Sequence, residues 1–196
     1  MTAPNENKEH QKSKKDEEFL ANLAKMAESD RGGMAILKRN AGNTIAESRG
    51  AMKTFYSLLP YGISDSPYEE IYFLIATLYG HNKYRFTGDF GQTMKLVRES
   101  SNSESIDQRV STLLDSEFNI VDGIKPGGGE LAYRLRQCVK LASGHEIGVD
   151  WYRLLQDLKY WGYPEKRVQK RWARSYFGYG KPVESETKES KEEAKA

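Results

Sequence analysis

Ser66-Pro67-Tyr68-Glu69-Glu70-Ile71-Tyr72-Phe73-Leu74-Ile75-Ala76-Thr77-Leu78-Tyr79 is the stretch whose reading decides the fold class. Ser66 offers a side-chain acceptor, Pro67 suits the first helical position and Glu69 stands three residues after Ser66, so the opening reads as a capping box. The run from Ile71 to Tyr79 is apolar on most sides, which predicts a helix buried at the centre of a bundle rather than one lying on its surface. Working outward, apolar residues recur at helical spacing almost everywhere. Towards the N-terminus, Phe19, Leu23 and Met26 define a first helix. Ser29 or Asp30 can cap a second that carries Ile36 and Leu37, and Ala51, Phe55, Leu58 and Leu59 form a third, stopped by Pro60. Towards the C-terminus, an exposed loop at 80–90 precedes a helix with Phe90, Met94 and Val97. Ser103 opens the next, with Ile106, Val110, Leu113 and Leu114 on one face. Leu131, Leu135, Cys138, Val139 and Ala142 mark a seventh helix, ended by Gly144. Asp150 caps an eighth with Trp151, Leu154, Leu155, Leu158 and Trp161, and Pro164 starts a ninth with Val168, Trp172 and Tyr176. The alternation of a sheet is missing, so the expected fold is all-α, a compact bundle of about eight to nine helices.

The chain has 196 residues, 38% of them hydrophobic and 30% charged, enough for one compact core with an extensive solvated or ligand-facing surface. Residues 1–15 and 181–196 are built from Lys, Glu, Ser and Asn without apolar periodicity and read as disordered charged tails. They flank a helical domain over 16–180, one unit or two helical halves. No apolar run reaches the ~18 residues of a membrane span. Lys8, Lys12, Lys14 and Lys15 are followed by no apolar stretch, so a signal peptide is not indicated and a cytoplasmic protein without a membrane partner is expected. The lone Cys138 excludes an internal disulfide and reads as a core residue. With His10, His81 and His145 scattered around it, no metal-ligand spacing arises, so no metal and no cofactor are expected. Gly127-Gly128-Gly129 lacks the Gly-Lys-Ser/Thr ending of a phosphate loop and reads as a flexible connector. No nucleophile, base and orienter stand in a recognisable pattern and the acids are dispersed. Catalytic residues are therefore not expected, and the chain reads as a non-enzyme.

The formal charge of +2 conceals an asymmetry. Residues 1–18 and 181–196 each stand at −1, whereas residues 131–180 carry ten Lys or Arg against four acids and stand at +6. Within that region, on a helix running from Pro164 to Arg174, Arg167, Lys170, Arg171 and Arg174 share one face while Val168, Trp172 and Tyr176 face elsewhere. Like charges at this spacing cost a few tenths of a kcal/mol per pair, so an uncompensated stripe points to an anionic partner. Arg134, Arg136 and Lys140 form a second cluster, off the apolar line of the seventh helix, and Lys38 and Arg39 follow Ile36 and Leu37. The tryptophans Trp151, Trp161 and Trp172 lie on apolar faces and read as core rather than as base-stacking surfaces. Two readings of the basic faces stand: a nucleic-acid surface, or a scaffold whose stripe docks on acidic protein partners.

Taken together, these residues resemble a known family. The ending Asp150-Trp151-Tyr152-Arg153-Leu154-Leu155-Gln156-Asp157-Leu158, then Tyr160-Trp161, then Lys166 through Phe177, is similar to the C-terminal signature of the CasB family, the small subunit of the type I-E CRISPR Cascade complex. Ser29-Asp30-Arg31-Gly32-Gly33 through Leu37-Lys38-Arg39 resembles that family's early motif, and the likeness covers about residues 16–178. The resemblance implies an all-helical, non-catalytic subunit paired with a second copy of itself beside the Cascade backbone and large subunits. It also implies contact with crRNA and target DNA strands without sequence preference, stabilising an opened R-loop. Matched onto this sequence, it implies nucleic-acid-binding roles for Lys38 and Arg39 in the early motif, Lys95 and Arg109 in the middle region, and Arg136 on the seventh helix. Arg167, Lys170, Arg171 and Arg174 match the terminal signature, and Lys140 joins them from the second cluster.

Overall fold

The computed structural model describes the backbone of residues 5–101 and 103–178, with side chains from residue 14 onward within those ranges. At its centre lies α4 (Glu69–Tyr79), in which every residue from Glu69 to Leu78 is buried. Such burial requires partners all round. They are α2 (Arg31–Arg39), α7 (Gly129–Gly144), α8 (Trp151–Lys159) and a short antiparallel hairpin of β1 (Asn119–Val121) and β2 (Lys125–Gly127). Edge-on aromatic pairs at 5.0 Å tie in the N-terminal helices: Tyr72 meets Phe19 of α1 (Asn5–Ser29), and Phe73 meets Phe55 of α3 (Met52–Tyr56). The remaining helices, α5 (Phe90–Ser101), α6 (Ser105–Asp115) and α9 (Arg167–Phe177), pack on one another and on α7. Here α5 and α9 meet tightly at Gly91, where any β-carbon would strike the Trp172 backbone. The buried residues of all these helices join one hydrophobic cluster. No helix among the described residues is long and apolar enough to cross a membrane.

The all-α expectation holds, and so do the caps read at Asp30 and Asp150, whereas the helix expected to open at Ser103 begins at Ser105 without a side-chain cap. Asp30 accepts from Gly33 N at 2.8 Å and Asp150 accepts from Arg153 N at 2.9 Å, each satisfying a free donor at a helix start. The two proline-based starts differ from expectation for a common reason. Ser66 does not cap α4, and Pro164 does not open α9. Each proline instead occupies the second position of a turn, closed by Glu69 N on Ser66 O at 3.1 Å and by Lys166 N on Tyr163 O at 3.0 Å. Proline's fixed φ suits that position as well as it suits a first helical turn. The loop at 80–90 is not wholly exposed. Asn82 is buried and donates to Ile147 O at 2.8 Å, while Asp89 and Gln92 form a reciprocal capping box on α5.

Gly127-Gly128-Gly129 is not a flexible connector either. It is wedged between neighbours, with a β-carbon at Gly127 lying 2.6 Å from the Glu70 side chain and one at Gly129, φ +73°, 2.7 Å from Asn119. At the N-terminus, α1 begins at Asn5, so residues 5–15, expected as a tail, continue the helix. Extension of an anchored helix costs far less than starting one, and Glu, Lys and Gln are good helix formers. The anchor is Asp16, which is buried and accepts hydrogen bonds from Tyr72 Oη, Gln156 Nε2 and, at 2.6 Å, Lys159 Nζ. Residues 181–196 lie outside the described residues.

Candidate nucleic-acid interface

The α9 face begins with Trp172. This residue is buried against Trp161 at 4.9 Å and Phe90 at 5.2 Å, and its Nε1 donates to Asp157 at 2.6 Å. With Val168, Gln169 and Tyr176 also buried, the orientation of the helix is fixed, and its other side must carry the cations. Arg167, Lys170 and Arg174 are exposed there and line one shallow hollow. None of the three makes a salt bridge to a carboxylate among the described residues.

Arg171 stands apart. It is counted with the stripe by spacing, yet its guanidinium donates to Asp157 and lies 3.9 Å from Asp89. The reason is position: on the helical wheel it falls at the edge of the buried face, within reach of two carboxylates that are 7% and 3% exposed. Burial still holds the Asp157 carboxyl above its ordinary range, against the lowering effect of Trp172 and Arg171. Arg171 is thus committed to the fold, and the uncompensated row consists of Arg167, Lys170 and Arg174. The first turn of α9 contains no acidic residue and follows Lys166, itself in the left-handed region at φ +48°. Cations therefore sit at the positive end of the helix dipole, an arrangement that an anionic ligand relieves.

A second group forms where α2, α4 and α7 meet. Lys38, Arg136 and Lys140 gather around His81, whose Nε2 lies 3.2 Å from Lys38 O. Burial, and then the Lys38 charge with Arg136 and Lys140 behind it, lowers the His81 pKa to about 4, so the ring is neutral at pH 7. The Arg136 side chain runs against Gly42, 3.7 Å from the place a β-carbon would take, and its buried Nε has no hydrogen-bond partner among the described residues. Arg39 is exposed beside Lys38 and donates to Ala35 O of its own helix at 3.2 Å.

Positions 136 and 140 are one turn apart on α7, whereas 134 and 138 lie on its opposite side. There Arg109 of α6 and Arg134 flank the buried Cys138, whose thiol burial pushes up to about 12. Arg134 is paired with Glu130 at 3.1 Å; Arg109 is exposed and makes no such pair among the described residues. Lys95 is half-exposed on α5 and belongs to none of these groups. The ten expected residues therefore divide into the α9 row of Arg167, Lys170 and Arg174, the paired Arg171, the group of Lys38, Arg136 and Lys140 with Arg39 beside it, Arg109 on the other side of α7, and the separate Lys95. No sequence signal marks His81, because only the fold brings it to Lys38 and Lys140.

The family model for CRISPR-associated protein Cse2 matches residues 33–177, a span that contains both the His81 cluster and the α9 row. The chain belongs to this family. Its sequence is 36% identical over 124 residues to a CRISPR-associated protein Cse2 of Thermus thermophilus, an alignment covering 61% of this chain and 63% of that relative's length. In structure, the chain is similar to a Cse2-family protein from Thermus thermophilus, at 28% identity and a TM-score of 0.66, with 83% and 97% of the two chains covered. A more distant neighbour, at 16% identity and a TM-score of 0.66, is a chain of a CRISPR RNA-guided surveillance complex; the match covers 84% of this chain and 92% of that one. At that identity the likeness concerns the fold alone. The match starting at residue 33 leaves α1 outside the shared segment, although Asp16 and Phe19 anchor that helix in the core.

Proposed function

We propose that this Cse2-family chain is the non-catalytic small subunit of a type I-E Cascade surveillance complex. It acts beside a second copy of itself and the backbone and large subunits, in the cytoplasm. Its basic faces hold the phosphates of crRNA or target DNA without reading sequence, and so stabilise the R-loop. One observation carries the reading: Arg167, Lys170 and Arg174 stand in an exposed row with no carboxylate partner among the described residues, on a helix fixed by its buried face. Family membership and the fold shared with a chain of an RNA-guided surveillance complex support it. Base pairing supplies sequence recognition in such a complex, and strand exchange is nearly balanced energetically, so backbone contacts suffice to tip it.

The test is a salt titration of DNA binding, wild type against Lys170→Ala with Arg174→Ala, on two unrelated sequences. Each engaged cation contributes about 0.7 to 0.9 to the slope of log K on log salt. The double variant should bind both sequences more weakly and lose about 1.5 from the slope at unchanged helicity. An unchanged slope and affinity would remove the row from the nucleic-acid site and leave the protein-docking scaffold as the reading.

A further inference from the structure

The α9 row continues into an aromatic patch that the phosphate-binding reading leaves without a role. Trp161 is buried, donates from Nε1 to Ser116 O at 3.0 Å, and accepts on its carbonyl from Gln169 Nε2 at 2.8 Å. These bonds pin the α8–α9 loop and turn its neighbours Tyr160 and Tyr163 outward, half-exposed, with ring centroids 5.5 Å apart. Tyr68, partly buried, stands close enough that the two phenols act on its own ionisation. Single exposed tyrosines are ordinary, but here two rings share a rigid support and a third lies near them.

The surface chemistry around the pair is what identifies an occupant. Tyr160, Tyr163 and Val168 wall a hollow of about 340 Å³ that also reaches Arg167, Arg171, Glu165 and Asp157, the last of these taken up by Arg171 and Trp172. The two arginines line the adjoining hollow too, together with Lys170 and Arg174, four cations against the single acid Glu165. An aromatic surface thus abuts a run of cations. At 5.5 Å the rings stand too close to admit a planar group between them, which would need about 7 Å, two van der Waals contacts. The pair therefore offers an outer face. A base has a π-face whatever its identity, and its own phosphates lie within a few ångströms of it, the combination that single-strand-binding surfaces use.

We propose that Tyr160 and Tyr163 form a stacking platform for an unpaired base of a nucleic-acid strand whose phosphates follow Arg167, Lys170 and Arg174. The proposal rests on the phosphate-binding reading of that row. It adds a preference for unpaired strands, because bases inside a duplex present no free face.

The probes are a thymidine 20-mer and an abasic strand of the same length, each measured by fluorescence anisotropy in low salt across a salt series. Wild type should bind the base-bearing strand more tightly. Tyr160→Ala with Tyr163→Ala should weaken that strand roughly 5- to 150-fold, the alanine cost of a lost stack, and leave the abasic strand and the salt slope unchanged. Tyr160→Phe with Tyr163→Phe should keep the preference, since the ring rather than the hydroxyl carries it. Wild-type binding that depends on salt but is equal for the two strands overturns the platform and leaves the phosphate row standing. So does an alanine variant that loses both strands alike. Salt-independent binding, or none at all, overturns the phosphate row and the platform with it.

Discussion

Arg171→Ala separates a cation that belongs to the fold from cations that belong to the surface. Asp157 is buried and receives Arg171 on Oδ1 and Trp172 Nε1 on Oδ2. Removing the guanidinium leaves one carboxylate oxygen buried without its partner. Breaking a fully buried pair costs about 3 to 5 kcal/mol, but the Arg171 side chain is 38% exposed and water can enter the space it leaves. The expected loss is then that of a buried acceptor left unsatisfied, about 2 kcal/mol. For a chain of this size that lowers Tm by roughly 4–8 °C. Lys170→Ala and Arg174→Ala, both on exposed positions, should stay within about 0.5 kcal/mol of wild type. The assay is thermal unfolding followed by circular dichroism in the far ultraviolet. Adding Asp157→Asn to Arg171→Ala should restore part of the loss, because an unpaired buried amide costs less than an unpaired charge. The Asp157 carboxyl is already raised by burial, and loss of Arg171 raises it further. Its protonated form therefore favours the folded state, and the penalty in Arg171→Ala should shrink as pH is lowered from neutral into the carboxylate range. Arg171→Ala melting together with Lys170→Ala would refute a structural role for Arg171.

His81 should titrate near pH 4 by NMR, with its resonance assigned through His81→Gln, and should move back towards its ordinary value in Lys38→Ala and in Lys140→Ala. Because its folded pKa lies below the unfolded value, the stability it contributes is complete above about pH 6.5 and is lost as pH falls towards 4; titration near 6.5 in wild type would contradict the cluster. Gly129→Ala, at φ +73° and against Asn119, should cost about 1 to 3 kcal/mol in urea unfolding. Gly162→Ala, which meets open space at a negative φ, should cost little, and equal effects would show that the glycine run is not wedged.

The parts of the fold legible in the sequence are those whose cause is local. The Asp30 and Asp150 caps act within three residues, and the apolar faces of α4, α7, α8 and α9 repeat every turn. The prolines at 67 and 164 mislead because the same dihedral serves a turn and a first helical position. The Asp89–Gln92 box hides inside a segment that reads as loop. Hairpin strands of three residues are too short to show a period. Of the site, the α9 row is legible from spacing, since Val168, Trp172 and Tyr176 fix which way the helix faces. The commitment of Arg171 to Asp157 depends on α8, fourteen residues away, and the meeting of Lys38 with Lys140 at His81 depends on the whole fold. Such contacts leave no periodic trace.

The Asp16 junction bears on the order in which the molecule assembles during synthesis. Three groups close around that carboxylate, and Gln156 and Lys159 stand 140 and 143 positions further along the chain. At roughly 5–20 residues per second, the ribosome needs about 7 to 30 s to deliver them. Until then the nascent first helix has a buried-type acid and no cation to receive it, so its final docking awaits α8. Release of that junction is correspondingly a long-range event: one carboxylate joins the first helix to the penultimate one, so a change in either is felt in the other.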